Sequence, residues 1–169
     1  ESGSDADTRK AMLRTDLTTS LEIIDENTFQ NNGIPVTKYF NVNKDGTLPP
    51  SKEAYVDFPL FRLGEIYLTY AEAVLRGGHG GDRATALRYV NDLRKRAYSD
   101  KTLAPISDSD LTLNFIIDER GREFFFEGQR RTDLVRFGLF TTAGYVWPWK
   151  GGTAKGKAVE NFYNVFPIP

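Results

Sequence analysis

Apolar residues begin to recur at helical spacing near Phe58. Leu60, Leu63, Ile66, Tyr67, Tyr70, Ala71 and Val74 follow steps of three and four, which predicts a helix. The pattern stops at Gly77-Gly78-His79-Gly80-Gly81, a run that no helix interior tolerates. Asp82 then predicts the cap of a second helix, on which Ala86, Leu87, Val90, Leu93, Arg94 and Ala97 share a face. A short glycine-rich turn between two helices makes them antiparallel. Ser107-Asp108-Ser109-Asp110 precedes Leu111 and predicts the cap of a third helix over about 110–137. Upstream, residues 5–16 read as a short helix capped by Asp7 or Thr8. Residues 21–24 and 36–42 read as short strands or extended segments. Asn31-Asn32-Gly33 and Lys44-Asp45-Gly46 mark turns, and residues 43–57 form a loop.

The helix pair carries a more specific pattern. Leu63-Gly64-x-x-Tyr67, then Ala71, Gly81-Asp82 and Ala86, follows the spacing of a tetratricopeptide repeat. Its small residues let two helices approach, and its large ones fill the space between them. Only one good copy is present, and a lone repeat cannot cover its own apolar faces. The expected fold is therefore mainly α: a tetratricopeptide-like helix pair plus a long helix, with irregular loops and a few short strands. It forms a single domain over residues 1–169.

Charge changes the picture in one place. The stretch IIDERGREFFFEGQRRTDLVRFG, residues 116–138, holds arginines, acids and three consecutive phenylalanines but no lysine. Asp118–Arg122 and Glu127–Arg131 lie at i,i+4, while Glu119–Arg122, Arg120–Glu123, Arg130–Asp133 and Asp133–Arg136 lie at i,i+3. Arginine makes flat bidentate pairs and tolerates burial better than lysine, so the cluster reads as a buried, paired spine. Gly121 and Gly128, seven apart, predict a close approach by another backbone or an aromatic ring.

Composition narrows the classes. Apolar residues make up 40% and aromatics 13%, which describes a globular chain rather than a disordered one. The net charge of −1 argues against charge-driven binding to nucleic acid or an anionic membrane. No apolar run reaches about 18 residues, so no transmembrane helix is predicted. Cysteine is absent, which removes disulfides, thiol catalysis and zinc–thiolate sites. The chain opens on Glu1 and closes on Phe166-Pro167-Ile168-Pro169, which reads like the interior of a longer protein.

An ordered set of motifs resembles the C-terminal part of the SusD/RagB family of glycan-binding proteins. It runs from Phe58-Pro59-Leu60-Phe61-Arg62-Leu63 through Tyr67-Leu68-Thr69-Tyr70-Ala71-Glu72-Ala73 to Val90-Asn91-Asp92-Leu93-Arg94. It continues with Asp118-Glu119-Arg120-Gly121-Arg122-Glu123, then Glu127-Gly128-Gln129-Arg130-Arg131-Thr132-Asp133-Leu134, Arg136-Phe137-Gly138 and the terminal Phe-Pro-Ile-Pro. Trp147-Pro148-Trp149-Lys150-Gly151-Gly152 looks closest to the starch-system type. The resemblance implies a lipoprotein on the outer face of the bacterial outer membrane, held there by its lipid anchor. It further implies a binder, not an enzyme, that captures oligosaccharides for a TonB-dependent transporter of the SusC type. The implied ligand is an α-glucan of the starch or malto-oligosaccharide kind, and the implied fold is mainly helical. In starch-type members the sugar-stacking aromatics lie largely outside the part matched here.

Within the chain, Trp147 and Trp149 are the best candidates for sugar contact, with Tyr145 beside them and Tyr163 weaker. Pyranose C–H faces stack on aromatic rings, and a proline-held loop pre-organises them. The competing reading has both tryptophans plugging the loop against a helix. His79 lacks a companion ligand, and the glycine run around it lacks the lysine and the preceding strand of a phosphate loop. Asp57 is a weak calcium candidate, since calcium wants several oxygen ligands; no cofactor is expected. Glu119, Glu123 and Glu127 sit on one helix among arginines that favour their ionised forms, which suits a glycosidase acid poorly. A helical-repeat interaction module without sugar binding and a carbohydrate-active hydrolase remain the alternatives.

Overall fold

A computed structural model describes residues 6–17, 22, 33–50 and 57–166. Its main helices are α1 (Leu63–Leu75), α2 (Arg83–Ala97), α3 (Leu113–Glu123) and α4 (Arg130–Arg136), joined by loops and short 3-10 turns. The antiparallel pair α1–α2 forms as its periodicity predicts. Leu68 and Ala71 of α1 meet Ala86, Val90 and Leu93 of α2, and Leu111, Ile116 and Phe124 close the same core. Tyr67 stacks flat on Tyr89 at 4.2 Å, while Tyr70 meets the same ring edge-on at 5.2 Å. Asp82 caps α2 by accepting from the Thr85 N–H at 2.8 Å, and its own N–H donates to the Tyr70 hydroxyl at 3.0 Å. Gly81 lies where a Cβ would come within 2.8 Å of Val74, so its small size sets the turn's approach to α1.

Several expectations shift. The first main helix starts at Leu63, not Phe58; Arg62 is its extended N-cap residue, and its guanidinium is engaged elsewhere. The N-terminal helix is a single 3-10 turn, Thr8–Met12, capped by Asp7. Among the described residues there is no strand. The ladder signal reduces to isolated bridges, Asp7 to Tyr98 and Leu13 to Val36. The predicted strand at 21–24 and the turn at 31–32 lie outside the described residues apart from Glu22 and Gly33.

The long third helix is two helices. Ser107 and Asp110 box a separate 3-10 turn, Asp108–Asp110, and Thr112 caps α3 through the Phe115 N–H at 3.1 Å. The chain then leaves the helix at Phe124 and turns through Phe126 (φ +60°) and Gly128 (φ +75°) before α4 begins. Two left-handed residues within three positions cannot continue a right-handed helix. The break folds α4 back, so Arg120 reaches Asp133 at 2.8 Å across thirteen residues. It also removes Gly128 from the face of Gly121. A Cβ at Gly121 would come 2.9 Å from Arg130 Nη1, so the close approach there is made by an arginine side chain.

The charged stretch is a buried spine, but most of its pairs are long-range. Of the local pairs, Glu119–Arg122 (2.8 Å) and Asp133–Arg136 (2.6 Å) form. Glu119, with no exposed surface, also accepts from Arg9 at 2.8 Å and Arg94 at 3.1 Å. Glu123 takes Arg9 at 3.1 Å, Arg62 at 2.5 Å and Arg96. Glu127 takes Arg62 at 2.7 Å and Lys38. Three carboxylates in a row thus clamp the N-terminal turn, the 33–50 loop, the entry to α1 and the end of α2 onto α3. Gly64 makes room for one of these crossings, since a Cβ there would come 2.6 Å from Arg62 Nη1 and 3.2 Å from Glu123 Oε1. No helix among the described residues is long and apolar enough to cross a membrane.

Candidate functional site

The aromatic loop follows α4. Gly138, at φ +69°, turns the chain out of the helix, and Thr141 anchors it by accepting the Val159 N–H at 2.9 Å on its carbonyl. Lys150 then pins the loop from inside. It is 3% exposed, and its ammonium donates to the carbonyls of Thr142 at 2.7 Å and Tyr145 at 2.5 Å. It also sits 4.8 Å from the Trp147 ring. Burial lowers its pKa from the ordinary lysine value. Gly156 lies against this loop so closely that a Cβ would overlap the Trp147 carbonyl.

The three predicted contact residues share this loop but do not share a role. Trp147 is half-buried, 5.7 Å from the Phe140 ring and 6.3 Å from Tyr145. The Tyr145 hydroxyl accepts from Arg130, whose guanidinium lies 5.1 Å from the ring centre. These two side chains are the plug. Trp149 is 63% exposed and sits at φ +67°, a conformation uncommon for a non-glycine residue. No ring contact joins Trp147 to Trp149 among the described residues, so the loop presents one outward indole and not a pair. Tyr163 is half-exposed beside Phe162, at 4.4 Å between rings.

Glu119 of α3 and Glu127 just beyond it are held as anions. Desolvation pushes the Glu119 carboxyl up, but the charges of Arg9 and Arg122 outweigh it and keep the group below the ordinary glutamate value. Glu127 behaves likewise, with hydrogen bonds from Arg62 and Lys38 overcoming desolvation. A general acid needs the opposite shift. Asp57 is exposed, and among the described residues no cluster of three His, Cys, Asp or Glu side chains is arranged to hold a metal.

One feature escaped the sequence reading. Of the three consecutive phenylalanines, only Phe124 is buried; Phe125 is 37% and Phe126 61% exposed. They line an open groove of about 970 Å³ between the Thr8–Met12 turn and the α3–α4 break, with Arg130, Arg131 and Tyr145 on its wall. The signal was available in principle. Consecutive residues point about 100° apart on a helix, so three in a row cannot all face one core.

The SusD family model matches residues 18–167, nearly the whole chain. The chain belongs to the SusD family. Among SusD-family relatives it is 47% identical over 139 residues to starch-binding protein SusD of Bacteroides thetaiotaomicron, a match covering 81% of this chain and 23% of that protein. Among solved structures it resembles surface glycan-binding protein A from Bacteroides thetaiotaomicron, with a TM-score of 0.63 and 26% identity. That match covers 99% of this chain and 36% of the other. The chain thus spans about a quarter to a third of the length of these SusD-family relatives.

Proposed function

We propose that this chain is part of a non-catalytic glycan-binding protein that captures α-glucan oligosaccharides for a TonB-dependent transporter of the SusC type. Its place is the outer face of the bacterial outer membrane, held by the lipid anchor of the family. The observation that carries this reading is the 47% identity to a protein named for starch binding. The structural likeness to a surface glycan-binding protein supports the broader class. Trp149 offers the local means: an exposed indole on a loop fixed by Lys150, suited to the C–H face of a pyranose. Glu119 and Glu127 are clamped by cations and kept ionised, which argues for binding without hydrolysis.

Titration calorimetry with maltoheptaose, beside a β-linked oligosaccharide, tests the reading. Binding of the α-glucan alone, weakened by Trp149→Ala, is the expected result. Binding of neither sugar by this chain or by a family-length protein containing it overturns the starch assignment. A role in protein contact has its own support. Phe58, Leu60, Phe61, Leu63 and Ile66 are all more than half exposed along the start of α1, an apolar stripe suited to another protein surface. Its signature is tight protein binding with no oligosaccharide affinity.

A further inference from the structure

The groove beside the α3–α4 break carries chemistry that the aromatic loop does not. Arg130 donates to the Ile117 carbonyl at 2.6 Å and to the Tyr145 hydroxyl; Arg131 donates to the Tyr163 carbonyl at 2.8 Å and faces the rings of Phe140 and Phe166. Both guanidinium groups have neutral partners only, among the described residues. The other arginines of the spine are matched to carboxylates. Arg120 is the telling case. It is 4% exposed, its Nε serves Asp133 and its Nη2 serves Gln129 at 2.9 Å, yet its buried Nη1 has no partner. A buried donor left unmade is costly, so this side of the groove wall is short of acceptors among the described residues. Its guanidinium lies 5.0 Å from the Phe124 ring, and both residues line the groove.

The floor is aromatic and held out of the ordinary backbone range. Phe126 stands 61% exposed at φ +60°, 5.0 Å from the Phe125 ring. An L-residue in that conformation costs about 1–2 kcal/mol, and such strain gathers where a side chain must be presented. Against the two neutral-partnered arginines stands one lining carboxylate without a cation, Asp118, so the balance in the groove is positive. An aromatic platform beside unmatched guanidinium groups fits a ring with an oxyanion attached, because arginine binds carboxylate and sulfate in its flat fork.

We propose that this groove binds an acidic saccharide, with its carboxylate or sulfate on Arg130 and its pyranose face on Phe126. The site shares Tyr145 with the Trp149 loop but not Trp149 itself, and the proposal rests on the glycan-binding reading for its ligand class.

Calorimetric titration of the chain, and of a family-length protein containing it, with trigalacturonate, a sulfated oligosaccharide and neutral maltoheptaose, at low and raised salt, tests it. Expected is binding of at least one acidic sugar, weakening as salt rises. Arg130→Gln weakens that binding about tenfold or more. Phe126→Gly relieves the left-handed strain, so its melting temperature holds or rises while acidic-sugar affinity falls about fivefold. The carboxylate and sulfate probes tell which oxyanion is preferred, and either supports the site. If maltoheptaose binds but no acidic sugar does, or neither variant weakens the acidic sugar, the groove proposal fails and glycan binding stands. If a family-length protein binds maltoheptaose but neither it nor this chain binds an acidic sugar, the groove proposal alone falls; if neither protein binds any saccharide, the glycan-binding reading falls as well.

Discussion

At Gly128 the backbone turns at φ +75° with nothing within 4 Å of where a Cβ would sit. The sequence suggested that a larger residue here would overpack the interior. The structure replaces that reason with another, because the space is open and the conformation is the constraint. Gly128→Leu is expected to lower stability by about 1–2 kcal/mol through backbone strain. Gly128→Asn should cost less than Gly128→Ala, since asparagine tolerates the left-handed region better, whereas overpacking would make the smaller alanine the milder change; thermal melts of these variants decide. The two tryptophans divide on the same scale. Trp149→Ala should leave stability within about 0.5 kcal/mol, as for other exposed substitutions. Trp147→Ala should cost about 1–2 kcal/mol by stripping the half-buried face against Phe140 and Tyr145. Denaturant unfolding reads both, and equal effects would contradict the split between plug and platform.

Among the elements, the α1–α2 pair was legible because its signals are local. A period near 3.6, a glycine run and one capping aspartate suffice to write it, and Ala71, Ala86 and Val90 are fully buried where the pattern put them; the buried Leu68 was not in that pattern, and the pattern's Leu60, Leu63 and Ile66 are exposed. The division of α3 from α4 was not legible. Glycine at 128 was visible, but the partner turn falls on Phe126, a residue with no sequence mark for positive φ. The break folds α4 back beside α3, which brings Asp133 to Arg120, while Glu123, though still in helical register with Arg120, pairs elsewhere. Glu123 is free to hold three arginines from other parts of the chain. Glu123→Gln should therefore loosen the α3 junction with the N-terminal turn and the start of α1. Arg96 is 61% exposed and its share is screened. Arg9 and Arg62 set a loss of about 2–3 kcal/mol. Hydrogen exchange would show it as lost protection in the Thr8–Met12 turn with α2 little changed; uniform loss would mean the junction is not where the carboxylate acts. At the candidate site, likewise, the loop residues were findable from aromatics in a proline-glycine setting, while the groove depends on which way Phe125 and Phe126 turn.

Across the whole molecule, the spine links stability to acidity. The carboxyls of Glu119 and Glu127 sit below their ordinary value of 4.5 in the folded chain. A depressed folded-state pKa contributes stability that is present above the unfolded value and lost as pH falls through the folded one. The melting temperature should hold through neutral pH and then drop as pH passes below 4.5 toward the folded-state values. Glu119→Gln should start lower and show a shallower acid slope, and an unchanged slope would remove Glu119 from the account. The same ladder also sets an order of events in time. The contacts of Arg9 with Glu119 and Glu123 span 110 and 114 residues, and those of Arg62 with Glu123 and Glu127 span 61 and 65. Loops of that length close late, whereas the helix pair needs only near neighbours. Charge-removing variants in the ladder should therefore leave the refolding rate nearly untouched and speed unfolding, so the carboxylates act as a latch on the finished chain.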